Sequence, residues 1–319
     1  MRFIKKYCLL SALFIIGFCP VVPTSSSLAY EDGTIFERKI YGFLVGWKAI
    51  GIEKLYSKEV YDRAINDQRF VLEKLTYSSQ KLKVVVYLYK PKDSEGRKLP
   101  AIIYNCGSYI RGDVGYELVP FFHRLASEGF VVITPMYRES DGGEGRDEMG
   151  GDDVNDLMNV LPLAKSLGFV DSNNLFMYGL SRGGMMTFQA IKYGFPLKAA
   201  ATIGAFTDID ALMKSDPAFY EPLKKTIWPD FDARREEILL KRSAIKWADK
   251  INVPLLIMHG GNDQSVSPAQ SLNFVQELQR LGKKYEVLIY ADDNHVLSRN
   301  QEDRDKRTIA WFQKHLQKK

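Results

Sequence analysis

Cysteine is scarce in this sequence. The 319 residues include three cysteines, and two of them, Cys8 and Cys19, lie among the first twenty residues. Cys106 is left alone in the rest of the chain, so an intramolecular disulfide is excluded there. The fold therefore has to be stabilised by its own apolar core, and a chain of this length can bury one.

Several kinds of binding site are also missing. We find no internal repeat, no low-complexity tract and no group of His, Cys and Asp at zinc-ligand spacing. The segment DGGEGRDEMGGDD (141–153) lacks both the lysine and glycine register of a phosphate-binding loop and the acid spacing of an EF-hand. We interpret it as a flexible loop that leads into a helix, and we predict no metal and no cofactor.

Long apolar runs are absent except at the amino terminus. Residues 1–29 begin with three cations, continue with an apolar run (Cys8–Phe18) and end in the small-residue sequence SLA (27–29). This is the layout of a signal peptide, and the run is shorter than the about 20 apolar residues of a membrane span. We expect cleavage, export to the periplasm or medium, and no stable membrane insertion afterwards. An uncleaved leader or a lipidated Cys19 is the membrane-anchored alternative.

The charge balance gives no reason to expect a nucleic-acid partner. The leader holds three of the 44 lysines and arginines and no acid, so its removal lowers the net charge from +5 to +2. The remaining cations form no basic stripe along the sequence.

Strand-like and helix-like segments alternate through the rest of the chain. Two β-branched runs, 70–77 and 82–90, predict an antiparallel pair, and the later strands are uniformly apolar, as in parallel sheets. We predict one α/β domain over 70–319, with a mostly parallel central sheet and helices on both faces. We predict a helical extension over 30–69 and a short cap insertion over 207–250.

One serine lies between glycines in MYGLSRGGMMTF (177–188). Gly179, Ser181 and Gly183 satisfy the pattern GxSxG between a predicted strand and a predicted helix. A reversal this sharp leaves no space for side chains on either side of the serine, and it presents the hydroxyl above the sheet. We predict Ser181 as a nucleophile in an elbow formed by Gly179 and Gly183. The alternative, a glycine-rich link without chemistry, applies if no base is available.

The chain has four histidines that could serve as the base. His295 follows the last predicted strand, at the sheet edge where Ser181 is expected, and we predict it as the general base. His123 and His315 fall within predicted helices and are interpreted as packed or surface residues. His259 directly follows a buried strand, where we expect it to support a turn.

A carboxylate is needed to orient the histidine. Asp263 follows the strand before the last crossover helix, and the order Ser181, Asp263, His295 is that of α/β-hydrolases. Asp292 and Asp293 are nearer to His295 in sequence. We interpret these two as solvated loop acids, because so close a neighbour is poorly placed to reach the far ring nitrogen.

Three stretches resemble the catalytic domain of the prolyl oligopeptidase (S9) group of serine hydrolases. They are MYGLSRGGMMTFQA, DEMGGDDVNDLMNVL and VPLLIMHGGNDQSVSPAQSLNFVQELQRLGKKYEVLIYADDNHVLS. The resemblance extends from about residue 70 to the end of the sequence, and it implies Ser181 as nucleophile, Asp263 as orienter and His295 as base. Many members carry a β-propeller ahead of this domain, whereas residues 30–69 are too few for one.

The resemblance also implies an oxyanion hole. One donor is expected to be the backbone N–H of Arg182. The other comes from the loop after the strand that ends near Asn105, where this chain has NCGS in place of the family's tyrosine or histidine followed by glycines. A backbone N–H of Cys106 or Gly107 is the expected donor, since a thiol donates weakly. Tyr109 is the side-chain alternative.

These residues together predict a serine hydrolase that cleaves a peptide or small amide bond through an acyl-enzyme. The alternative is a carboxylic-ester hydrolase with the same triad, because fold and triad are shared by both chemistries. A third hypothesis, a non-catalytic binding protein of the same fold, requires the loss of a triad member, and all three are present. The expected partner is a small peptide or ester, and the sequence leaves the oligomeric state open.

Overall fold

The computed structural model describes residues 30–42, 55–108 and 118–317. The predicted signal peptide (1–29) and the alternative oxyanion donor Tyr109 lie outside these residues. Within the part of the chain that the structure describes, no helix is both long and apolar enough to cross a bilayer.

Nine strands form a single sheet in the described residues. They are β1 (Ile35–Ile40), β2 (Phe70–Ser79), β3 (Leu82–Pro91), β4 (Leu99–Asn105), β5 (Val131–Pro135), β6 (Val170–Leu180), β7 (Ala199–Ile203), β8 (Leu255–Gly260) and β9 (Tyr285–Tyr290). Their order across the sheet is β1-β2-β3-β5-β4-β6-β7-β8-β9. Pairing is antiparallel from β1 to β5 and parallel from β5 to β9, which confirms the predicted β2–β3 pair and the mostly parallel sheet.

Helices cover the sheet. They are α1 (Lys58–Asn66), α2 (Val119–Ser127), α3 (Val154–Met158), α4 (Val160–Ser166), α5 (Arg182–Lys192), α6 (Ile209–Ser215), α7 (Pro217–Ile227), α8 (Arg235–Arg242), α9 (Ala269–Arg280) and α10 (Gln301–Lys314), with 3₁₀ segments at Ser140–Gly142 and Ala244–Lys250. On β6, Met177 packs in the apolar cluster that includes Phe188 of α5, whereas Phe176 packs in the cluster that includes Phe312 of α10. Successive strand residues point to opposite faces, so the sheet is buried on both.

Residues 30–69 are not helical throughout, and the prediction is wrong at their start. Ile35–Ile40 forms β1, an edge strand in which Arg38 lies opposite Leu75 of β2. Its side chains are largely exposed, and Arg38 pairs with Glu73 at 2.7 Å. A short charged segment with no apolar stripe is not stable as an isolated helix. Pairing with the free backbone N–H and C=O groups at the edge of β2 stabilises it as a strand instead.

The segment between β7 and β8, predicted as a cap insertion, contains α6, α7, α8 and the second 3₁₀ segment. Trp228 is nearly buried, donates its Nε1–H to the carbonyl of Glu148 (2.9 Å), and stacks on the Arg242 guanidinium at 4.7 Å. Phe219, by contrast, is exposed. Trp228 thus attaches the insertion to the loop that precedes α3.

Candidate active site

Ser181 is the single residue between β6 and α5. Its backbone angles are φ 56° and ψ −121°, a conformation that non-glycine residues rarely adopt and that costs about 1–3 kcal/mol. The N–H of Ser181 donates to the carbonyl of Ile203 (2.8 Å), and its carbonyl accepts from the N–H of Gly184 (2.9 Å). Hydrogen bonds on both sides therefore hold the strained turn, and the serine side chain is partly exposed.

Two glycines make this turn possible. A Cβ at Gly183 would overlap the carbonyl oxygen of Asn105 at the end of β4, and a Cβ at Gly179 would overlap the carbonyl of Gly183. The absence of side chains lets α5 begin against the end of β4, directly after Ser181. The local geometry has the strand–turn–helix form that GxSxG requires.

Asp263 and His295 meet on neighbouring loops. Oδ2 of Asp263, in the loop after β8, lies 2.7 Å from Nδ1 of His295, in the loop after β9. The other carboxylate oxygen accepts the backbone N–H groups of Ser265 (2.8 Å) and Val266 (2.9 Å). The carboxylate is therefore fixed on its own turn, and it leaves Nε2 as the ring nitrogen of His295 that is available for proton transfer.

The buried imidazole of His259 supports the turn that carries Asp263. The ring is fully buried, with Nε2 2.9 Å from the carbonyl of Val266 and 3.0 Å from Oδ2 of Asp263, and with Nδ1 2.7 Å from Oγ of Ser271. A carbonyl only accepts, so Nε2 carries a proton. Burial on its own would raise the pKa of Asp263, but the hydrogen bonds from His259 and His295 outweigh it and hold that pKa well below its ordinary value. The predicted turn-supporting role of His259 is confirmed.

Ser181 and His295 lie at the same end of β7. Ser181 binds the carbonyl of Ile203, the last residue of that strand, and the next residue, Gly204, lies against the imidazole. A Cβ at Gly204 would be 2.8 Å from Nδ1 of His295. The structure thus brings Ser181, Asp263 and His295 to one edge of the sheet, where their roles remain predictions.

Asp293 is not the solvated loop acid that the sequence suggested. It is fully buried, and it accepts hydrogen bonds from the backbone N–H groups of Asn294, Arg299 and Asn300 and from the Asn300 side chain, at 2.8–3.1 Å. Burial acts to raise the pKa of Asp293, and these bonds lower it below the ordinary value. Asp293 therefore shapes the loop that carries His295. Asp292 is exposed, as predicted.

The predicted oxyanion donors flank Ser181. Arg182 is the first residue of α5, where backbone N–H groups have no partner within the helix. A Cβ at Gly107 would be 3.2 Å from Cβ of Ser181, so the loop after β4 passes directly beside this serine. Cys106 is buried in the same apolar cluster as Tyr104. Its side chain packs in the core, which leaves the backbone of Cys106 and Gly107 as the candidate second donor.

Buried arginines hold the second half of the acidic loop 141–153, which contradicts its interpretation as a flexible loop. Arg242 donates to the carbonyls of Glu148 (2.8 Å) and Met149 (2.7 Å), and Arg182 forms a buried ion pair with Asp147 at 2.6 Å. Sequence reasoning missed these contacts. The signal available was the excess of acids in 141–153 together with the arginine, Arg182, inside the GxSxG motif. Among the described residues, no three His, Cys, Asp or Glu side chains group as metal ligands.

Comparison with known proteins identifies relatives of the chain. The model of the prolyl oligopeptidase family, Peptidase S9, matches residues 121–319, which is more than half of the chain and includes Ser181, Asp263 and His295. An uncharacterized peptidase of Bacillus subtilis, YtmA, is 28% identical over 210 residues, covering 65% of this chain and 81% of YtmA.

Solved structures share the fold. A puromycin-hydrolyzing peptidase of Mycobacterium tuberculosis superposes with a TM-score of 0.68 at 22% identity, covering 80% of this chain but 41% of that chain. An acetyl xylan esterase from Paenibacillus sp. R4 superposes with a TM-score of 0.61 at 16% identity, covering 79% of this chain and 86% of the esterase. These likenesses confirm the predicted α/β-hydrolase fold. This chain spans less than half the length of the mycobacterial peptidase.

We expect Gly183→Ala to destabilise the protein by about 1–3 kcal/mol, because the new methyl group overlaps the end of β4. Gly168→Ala is the matched control, since a Cβ there meets nothing within 4 Å. Urea unfolding of both variants measures the difference. Equal stability of Gly183→Ala and wild type would show that the elbow does not need its second glycine.

We expect the stability contributed by Asp263 to depend on pH. Its folded-state pKa is lowered, so the contribution is complete above the ordinary aspartate pKa of about 3.9 and is lost as the pH falls through the lower folded value. Asp263→Asn should therefore reduce the free energy of unfolding by about 2 kcal/mol near neutral pH, and less as the medium becomes more acidic. The control is the exposed Asp292→Asn, measured by urea unfolding over the same pH series. A deficit for Asp263→Asn that is constant with pH contradicts this prediction.

Proposed function

Since the chain belongs to the prolyl oligopeptidase family of α/β-hydrolases, we propose that it is a serine hydrolase that cleaves a peptide or small amide bond. The observation that carries the proposal is the 2.7 Å hydrogen bond between Asp263 and His295, at the sheet edge where the strained Ser181 turn lies. A nucleophile, an orienting carboxylate and a base, which follow β6, β8 and β9 respectively, are the parts that acyl transfer requires.

The first step forms a bond between Oγ of Ser181 and the substrate carbonyl carbon. As the bond forms, Nε2 of His295 accepts the hydroxyl proton and the carbonyl π electrons move onto oxygen. Asp263, with its lowered pKa, stays ionised and stabilises the imidazolium. The oxyanion would be held by the backbone N–H of Arg182 and one from Cys106 or Gly107.

The second step breaks the bond to the leaving group. His295 returns the proton to the departing amine nitrogen, which leaves Ser181 acylated. A water molecule then attacks the ester carbonyl while His295 again accepts a proton, and collapse of the second tetrahedral intermediate releases the acid and restores the serine hydroxyl.

Peptide cleavage is favoured over ester cleavage by the family and by the relative YtmA, which is described as a peptidase and matches over most of its length. Ester cleavage remains the second candidate. The acetyl xylan esterase superposes over 86% of its own length, so its fold has nearly the same extent as this chain. The shared fold does not by itself separate the two chemistries.

We expect a fluorophosphonate probe to label the wild-type protein and to fail with Ser181→Ala, because the probe reacts with an activated serine. Ser166→Ala, which changes an exposed serine at the end of α4, is the control and should be labelled like wild type. Peptide mapping of the adduct identifies the modified residue. Absence of labelling in the wild type would instead support the non-catalytic binding protein.

Substrate class can be measured with a panel of aminoacyl and prolyl anilides and short acyl esters of one chromogenic series. The relevant quantity is kcat/KM divided by the uncatalysed rate, since esters are intrinsically more reactive than anilides. We expect this ratio to be larger for the anilides, with Ser181→Ala as background. Turnover confined to the esters would replace the peptidase proposal with the ester hydrolase.

A further inference from the structure

We propose that the buried guanidinium of Arg182 is a positioning group that sets the spacing between the two sides of the oxyanion site. The inference rests on the proposed function, because it assigns a role within that site. Arg182 directly follows the nucleophile, and its own backbone N–H is the predicted first donor. Its side chain reaches to the other side, where the second donor is expected.

The guanidinium is fixed from several directions. It is fully buried, and its two terminal nitrogens bind both carboxylate oxygens of Asp147 at 2.7 and 2.6 Å. Nη2 also donates to Asp153 at 2.9 Å, and the ring of Tyr137 lies 4.8 Å from the guanidinium carbon. A bidentate pair sets the plane of the guanidinium as well as its position, so the group has little freedom to move.

This fixed group holds the loop after β4. Nη1 of Arg182 donates to the carbonyl of Ser108 at 3.1 Å. The preceding residue, Gly107, lies against Ser181, with its Cβ position 3.2 Å from Cβ of the serine. The guanidinium thus connects the first residue of α5 to the turn at 106–108, which comes from a distant part of the chain. Ser181 lies between these two segments.

Backbone N–H groups of the acidic loop also bind the two carboxylates that hold Arg182. Asp153 accepts the N–H groups of Gly150 and Gly151, each at 2.8 Å, in addition to its bond from Arg182. Asp147 accepts the N–H of Met149 at 2.7 Å. The two carboxylates therefore connect the guanidinium of Arg182 to the backbone of the acidic loop. The acidic loop in this way fixes the side chain that binds the Ser108 carbonyl.

A second buried pair in the same region provides a matched control. Arg138 binds Asp156 through Nε (3.0 Å) and Nη2 (2.9 Å), and Nη2 also donates to Gln80 at 2.9 Å. Both members of the pair are buried. Its contacts lead toward β2 and β3 instead of the turn at 106–108, so its loss should cost stability without changing the oxyanion site.

The experiment compares Arg182→Lys with Arg138→Lys in the full chain. Lysine keeps the positive charge, but one ammonium group cannot span two carboxylates and the Ser108 carbonyl. We expect Arg182→Lys to lower kcat on the best anilide about 10- to 100-fold, somewhat less than loss of an oxyanion donor, with KM nearly unchanged. The rate of fluorophosphonate labelling should fall in parallel. Arg138→Lys should leave kcat and the labelling rate close to wild type.

Amide hydrogen exchange of peptides that cover residues 105–108 gives a readout that needs no turnover. Faster exchange in Arg182→Lys, but not in Arg138→Lys, supports the positioning role even if the wild type proves inactive and the proposed function fails. Equal exchange in the two variants, or an equal fall in kcat, overturns it. If Arg182→Lys does not fold, Asp147→Asn replaces it. This change leaves Arg182 paired with Asp153. The same comparisons of amide exchange and kcat with Arg138→Lys then test the positioning role.

Discussion

The hydrogen bond between Asp263 and Nδ1 of His295 joins the loop after β8 to the loop after β9, and the rest of the site is arranged around it. It forms because the two parallel strands end side by side, with His259 opposite Ile289 in the sheet register. The turn of Asp263 is held by two backbone N–H groups and by the buried His259 ring, while Asp293 shapes the loop of His295. Each partner is thus held in place by contacts that do not involve the other.

Buried arginines hold the other loops at this edge of the sheet by donating hydrogen bonds to their backbone carbonyls. Arg182 donates to the carbonyl of Ser108, Arg242 to that of Met149 and Arg304 to that of Val296, next to His295. Loops leave backbone carbonyls without the partners that a helix or strand supplies. Long cationic side chains satisfy these groups from within the core. Acids such as Asp147 and Asp305 balance their charge.

The proposed triad accounts for a type of reaction and does not account for a choice of substrate. Under the proposed function, the nucleophile, base and orienter follow strands of a fold that solved structures of low identity share with this chain. In this chain Trp228 and Arg242 connect the insertion between β7 and β8 to the acidic loop, and Asp147 of that loop binds Arg182, the residue after Ser181. The insertion is therefore physically connected to the turn that carries Ser181.

The sequence by itself determined the elements that rest on local periodicity. Apolar strands, amphipathic helices and the glycines around Ser181 predicted the α/β-hydrolase fold, and the order Ser181, Asp263, His295 predicted which loops would meet. What it did not determine depended on partners far along the chain. β1 is a strand because β2 offers it a free edge, Asp293 is buried because the following loop folds back onto it, and the Arg182 guanidinium binds acids 29 and 35 residues away. Tertiary structure alone decided these features, because hydrogen-bond partners and burial are properties of the assembled chain and leave no periodic pattern in the sequence.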